Sequence, residues 1–121
     1  MKTILTVDDS PSIRQMVRLV LTQAGFKVEE AGDGSQGLAK ARTQAFDLVV
    51  TDLNMPVKDG LSLIRELRGL PAYRGVPIIF LTTESDGAIK QQAKAAGATG
   101  WMTKPFQKDQ LLAIASKFLG A

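Results

Sequence analysis

Short runs of β-branched and apolar residues alternate with stretches of helical period along the whole chain, and this alternation is the strongest constraint on its fold. The runs are Thr3–Val7, Asp47–Thr51 and Val76–Thr82, with weaker ones at Lys27–Glu30 and Thr99–Thr103. Runs without polar interruption suit strands covered on both faces, as in a parallel sheet. Between them, Ile13, Met16, Val17, Val20, Leu21 and Ala24 form an i, i+3, i+4, i+7 stripe. Ser10 is placed to cap that helix, Pro11 suits its first position and Gly25 its end. Further helices are predicted over Ser35–Gln44, Gly60–Leu70 and Lys108–Leu119, each with an apolar face.

A helix at about Asp86–Ala96 differs, because its inward face offers only Ile89, Ala93 and Ala96. Burial supplies most helical stability, so this helix is expected to be the mobile element. Five strands and five helices fill the 121 residues as one doubly wound α/β domain, residues 1–121, with right-handed crossovers. In such sheets ligands bind outside the carboxyl ends of the strands, which gives a test for any functional residue.

The polar residues pass that test together. Asp8 and Asp9 follow the first strand, Asp52 follows the third, Thr82 ends the fourth and Lys104 ends the fifth. Taken singly, each has an ordinary explanation: an Asp after a strand is most often a cap or turn former. Folding alone, however, does not ask for all of them at one sheet edge. At ~4 Å and an effective dielectric of ~20, two like charges repel by about 4 kcal/mol. One lysine cannot offset three carboxylates, whereas a hard divalent cation can, and Mg²⁺ with oxygen ligands is the natural candidate. With its charge so balanced, one carboxylate becomes a nucleophile toward phosphorus, and phosphoryl transfer asks mainly for positioning and charge stabilisation.

Composition narrows the alternatives. The chain has no cysteine and no histidine, which removes disulfides, thiolate sites, His bases and a phosphohistidine of its own. The net charge of +3 comes from scattered Lys and Arg without a basic run, so no nucleic-acid partner is expected. The first apolar run is too short for a signal segment, and nothing approaches the ~18 apolar residues of a membrane span. A cytoplasmic, unprocessed protein without membrane insertion is the expectation.

At these residues the chain resembles the receiver domain family of two-component response regulators, in its stand-alone, CheY-like form. The matching pieces are Val7-Asp8-Asp9-Ser10, Asp52-Leu53-Asn54-Met55-Pro56-Val57-Lys58-Asp59-Gly60, Leu81-Thr82-Thr83 and Lys104-Pro105-Phe106. The resemblance implies a flavodoxin-like (βα)5 sheet in the order 2-1-3-4-5. It also implies that Asp52 is the phosphoacceptor and that Mg²⁺ is held by Asp9 and Asp52, by the Asn54 backbone carbonyl and, through a water, by Asp8. Lys104 would contact the phosphoryl oxygens, across a Lys104-Pro105 bond expected to be cis. Thr82 would swing toward the phosphoryl group, and Asn54 and Glu84 match positions that adjust its hydrolysis.

One departure concerns the aromatic residue of the fifth strand, usually Tyr or Phe in the family and here Trp101. It is either a core residue or a switch whose indole changes burial as Thr82 moves. Trp is bulkier than Tyr, which opposes simple inward rotation. The segment Gly97-Ala98-Thr99-Gly100-Trp101 resembles regulators of some bacterial chemotaxis systems.

The resemblance implies a signalling phosphoacceptor, not an enzyme acting on other substrates. A CheA-like histidine kinase would be the donor, and a FliM-like flagellar switch protein, a histidine phosphotransfer domain or a phosphatase a further partner. A monomer is expected, with a phosphorelay intermediate or phosphate sink as the alternative role. A small phosphatase resembling the haloacid dehalogenases is disfavoured, because there the nucleophile opens the first strand motif and here the acidic pair does. A flavin-binding module is disfavoured by two carboxylates in the loop that would meet a phosphate.

Overall fold

Ser10 and Pro11 start the first helix as expected, and each later element is delimited by equally local chemistry. In the computed structural model, residues 2–53, 58–83 and 87–120 are described. The elements run β1 (Thr3–Val7), α1 (Pro11–Gln23), β2 (Lys27–Ala31), α2 (Gly34–Thr43), β3 (Leu48–Asp52), α3 (Gly60–Arg68), β4 (Ile78–Thr82), α4 (Gly87–Ala96), β5 (Gly100–Thr103) and α5 (Lys108–Leu119). The Ser10 side chain accepts from the Ile13 N–H, and Asp33 and Asp59 do the same for α2 and α3. Gly25 takes the left-handed turn after α1, at φ +100°.

Several boundaries differ from the sequence expectation for identifiable reasons. Asp47 stays outside β3, where its carboxylate accepts the Thr3 N–H at 2.8 Å, and the strand instead runs on to include Asp52. β4 starts at Ile78 rather than Val76, since Pro77 has no N–H to give the ladder and the Val76 carbonyl is taken by Arg68 at 2.7 Å. α3 stops at Arg68, ahead of a single 3-10 turn at Pro71–Tyr73. The Asp86 start proposed for α4 lies outside the described residues.

All strand pairs are parallel, in the order β2-β1-β3-β4-β5. Alternate side chains of the strands feed two cores. Leu5, Val7, Val49, Ile78 and Phe80 meet Leu38, Leu63, Ile64, Leu67 and Ala93 under α2, α3 and α4. Ile4, Leu48, Val50, Ile79, Leu81 and Met102 meet Val17, Leu21, Leu111 and Ala115 under α1 and α5. The weak apolar face of α4 is as expected: Ala93 is fully buried, and Ile89 and Ala96 are partly so. Among the described residues, no helix is long and apolar enough to cross a membrane.

The chain returning after β3 passes very close to the strand it left. The Gly60 N–H donates to the Leu53 carbonyl at 2.9 Å, and a Cβ on Gly60 would land on the Asp52 carbonyl oxygen. Gly60→Ala is therefore expected to lower stability by about 1–3 kcal/mol in urea denaturation, because backbone has to move to admit the methyl group. A loss under about 0.5 kcal/mol, the size of an ordinary surface substitution, would show that the approach is not binding.

Candidate phosphoacceptor site

The carboxyl edge of the sheet gathers the polar groups that the apolar strands deliver there. Asp8 is fully buried just beyond β1, and its backbone is fixed from two sides. Its N–H donates to the Ala31 carbonyl at 3.1 Å, and its own carbonyl accepts from Arg14 Nη1 at 2.7 Å. Its Oδ1 accepts the Ser10 N–H at 2.9 Å. Asp52, the last residue of β3, is also buried, whereas Asp9 is exposed to solvent. Carboxylate oxygens of Asp8, Asp9 and Asp52 lie within 4.8 Å of one another.

Lys104 reaches into this cluster from the far end of β5. Its Nζ is 3.0 Å from Asp8 Oδ2 and 3.2 Å from Asp52 Oδ2. Burial works to lower the lysine pKa, but the hydrogen bond and charge of Asp8, followed by those of Asp52, outweigh it and raise the pKa above the ordinary value. The Lys104 N–H donates to the Thr82 carbonyl at 2.8 Å, so the lysine and Thr82 are tied through backbone as well. The Lys104-Pro105 bond is cis, as expected, and Pro105 is exposed.

Asp8, Asp9, Asp52 and Lys104 thus form one cluster, and buried Thr82 ends the neighbouring strand. Asn54 and Glu84 lie outside the described residues. Trp101 is not a core residue: it is 44% exposed, beside α4, with Lys90 Nζ 3.5 Å from its ring centroid. The sequence reading did not single out Lys90, nor Arg14. Thr51 was also missed; it is fully buried, and its hydroxyl donates to the Asp52 carbonyl at 2.9 Å. A threonine inside an apolar strand was the available signal for Thr51.

Chemically, the arrangement offers a buried carboxylate, a fixed ammonium beside it and three carboxylate oxygens that could hold one small cation such as Mg²⁺. The donor set is hard oxygen throughout, which suits that ion.

A parallel 2-1-3-4-5 sheet with this cluster at its carboxyl edge defines a receiver of the response-regulator type. The chain belongs to the response regulator receiver domain family, whose model matches residues 4–116. It is 36% identical over 119 residues to the probable chemotaxis protein CheY of Rhizobium etli, spanning 98% of this chain and 92% of that protein. The Vibrio cholerae chemotaxis protein CheY4 superposes with a TM-score of 0.94 at 46% identity, over 98% of both chains. The receiver domain of the Pseudomonas aeruginosa sensor histidine kinase PA1611, solved with a magnesium ion coordinated in its active-site cleft, gives 0.91 at 32% identity, over 99% of this chain and 98% of that one.

Proposed function

We propose that this protein is a chemotaxis response regulator that accepts a phosphoryl group on Asp52 from a histidine kinase and thereby changes a partner-binding face. The observation that carries the chemistry is Lys104 Nζ standing between two buried carboxylates, beside the open acidic cluster. An Asp52 oxygen attacks the phosphorus of a kinase phosphohistidine. The P–N bond breaks, the imidazole leaves with its electron pair, and Asp52 becomes an acyl phosphate. Lys104 follows the developing charge on the equatorial oxygens, and its raised pKa keeps it cationic throughout the neutral range. Asp8, Asp9 and Asp52 would hold Mg²⁺, with the Asn54 carbonyl added by family resemblance. The ion would supply the neutralising charge that one lysine cannot.

The Thr82 hydroxyl is then the group that senses the phosphoryl oxygens, and Trp101 reports its movement to the face formed by α4, β5 and α5. The chemotaxis assignment rests on the CheY relatives. It makes a CheA-like kinase the donor and a FliM-like switch protein the target, in the cytoplasm, and binding of the phosphorylated form to a switch-protein segment tests that part.

Incubation with Mg²⁺ and acetyl phosphate, followed by intact-mass analysis, tests the chemistry. One phosphoryl adduct is expected, absent without Mg²⁺ and absent in Asp52→Asn. An adduct that persists in Asp52→Asn, or no adduct in the wild-type protein, would refute it.

A further inference from the structure

Among the described residues, two side-chain contacts of unequal strength hold helix α4 besides its packing on the core. At its carboxyl end Arg68, the last residue of α3, donates through Nε to the Gly97 carbonyl at 2.9 Å. The same guanidinium holds the carbonyls of Tyr73 and Val76 at 2.5 and 2.7 Å and reaches Thr99 Oγ1 at 3.3 Å. Gly97 has φ +119°, and the Arg68 side chain occupies the space its Cβ would need. Dislodging this anchor would strip several carbonyls of a charged donor at once.

The second of these contacts lies nearer the amino end and is lighter. The Lys90 ammonium sits 3.5 Å from the centroid of the Trp101 ring, over an indole that is 44% exposed. Such a contact beside water is worth little, so a ligand elsewhere can break it. Its place on the sheet matters more. Trp101 pairs in register with Phe80, and Thr82 lies two residues further along the same strand, on the same α4-covered face. A displacement of Thr82 therefore arises one pleat away from the indole that Lys90 covers.

We infer that the Lys90–Trp101 contact is the latch of the resting state: it holds α4 and the indole in the unphosphorylated arrangement, and a phosphoryl group on Asp52 releases it while α4 turns about the Arg68–Gly97 anchor. This inference rests on the phosphoacceptor reading of Asp52. Its consequence is thermodynamic. A ligand at Asp52 that favours the released arrangement spends part of its binding energy breaking the latch. Removing the latch returns that energy as tighter binding, because coupling between two sites is reciprocal.

The test is a beryllofluoride titration in Mg²⁺ followed by Trp101 fluorescence, on the wild-type protein and on Lys90→Ala, Lys90→Arg and Lys94→Ala. Lys90→Ala should lower the midpoint about two- to fivefold, the equilibrium equivalent of the about 0.5–1 kcal/mol of an exposed cation–π pair. Lys90→Arg keeps a cation over the ring and should stay near wild type. Lys94→Ala removes an equal charge one turn along the helix and should also leave the midpoint in place. A wild-type midpoint in Lys90→Ala, or an equal shift in Lys94→Ala, overturns the latch while leaving the receiver chemistry standing. No fluorescence response to beryllofluoride in any of the four proteins also overturns the latch, and intact mass after acetyl phosphate then decides separately whether the receiver chemistry stands.

Discussion

Lys104→Ala should cost the Mg²⁺-free protein about 3 kcal/mol, the low end of what breaking a buried ion pair costs when one partner is removed. Asp8 and Asp52 are both buried and both face Lys104 Nζ, so the variant leaves two carboxylates close together with no cation between them. The low end applies because Asp9 opens the cluster to water on one side. The destabilisation should be constant across neutral pH. A lysine whose folded pKa is raised contributes its stability fully below its ordinary value of about 10.4 and loses it only as pH climbs through the higher folded value. Mg²⁺ should stabilise the variant more than the wild type, since a second cation in the cluster does part of the missing lysine's work. Urea denaturation with and without Mg²⁺ measures both effects. A loss below about 1 kcal/mol, within the range of an exposed pair, would mean that the carboxylates are already relieved by solvent.

Much of this site was legible in the sequence because strands with unbroken apolar runs leave few places for polar residues. Asp8, Thr82 and Lys104 stand where such runs stop, and the carboxyl-edge rule then brings them together without any knowledge of side-chain geometry. Asp52 was legible for the same reason, although it belongs to β3 rather than following it. The strand runs on because Asp52 pairs with Leu81 of β4, while its start shifted because Asp47 hydrogen-bonds to the start of β1, a contact between residues 44 apart in sequence that no local pattern reveals.

Trp101 stayed ambiguous for a different reason. Gly100-Trp101-Met102-Thr103 sets two large apolar residues side by side, and a shift of one residue exchanges their faces. The register with β4 sends Met102 into the α1–α5 core and leaves Trp101 half exposed. The partner of that indole was beyond reach for the same reason: Lys90 reads as a solvated helix lysine until α4 is laid against β5. Arg68 likewise reads as a helix-end cation, and only the tertiary fold shows it collecting carbonyls from two other segments.

Thr82→Ala separates the chemistry from the signal. Thr82 ends β4 with its side chain fully buried, one residue across the ladder from Thr103 and next to the strand end that carries Asp52. Asp52, Lys104 and the acidic cluster are all retained in the variant, so its yield of phosphoryl adduct should match the wild type within about twofold, well under 1 kcal/mol of transition-state change. What is lost is the hydroxyl that would bond the phosphoryl oxygens in only one of the two arrangements. A hydrogen bond to a charged group is worth about 1.5–3 kcal/mol, and the population of the released state should fall by about ten- to hundredfold at equal phosphorylation. The fluorescence change of Trp101 per adduct, read against intact mass on the same sample, should then nearly vanish. If Thr82→Ala keeps the full fluorescence change, Trp101 receives the signal by a route other than the β4 edge. In that case the latch at Lys90 would answer to Asp52 by another path, and the two routes are told apart by adding Lys90→Ala to the Thr82→Ala background. Through the β4 edge alone, weakening the latch should restore part of the lost response by lowering the energy the phosphoryl group has to overcome.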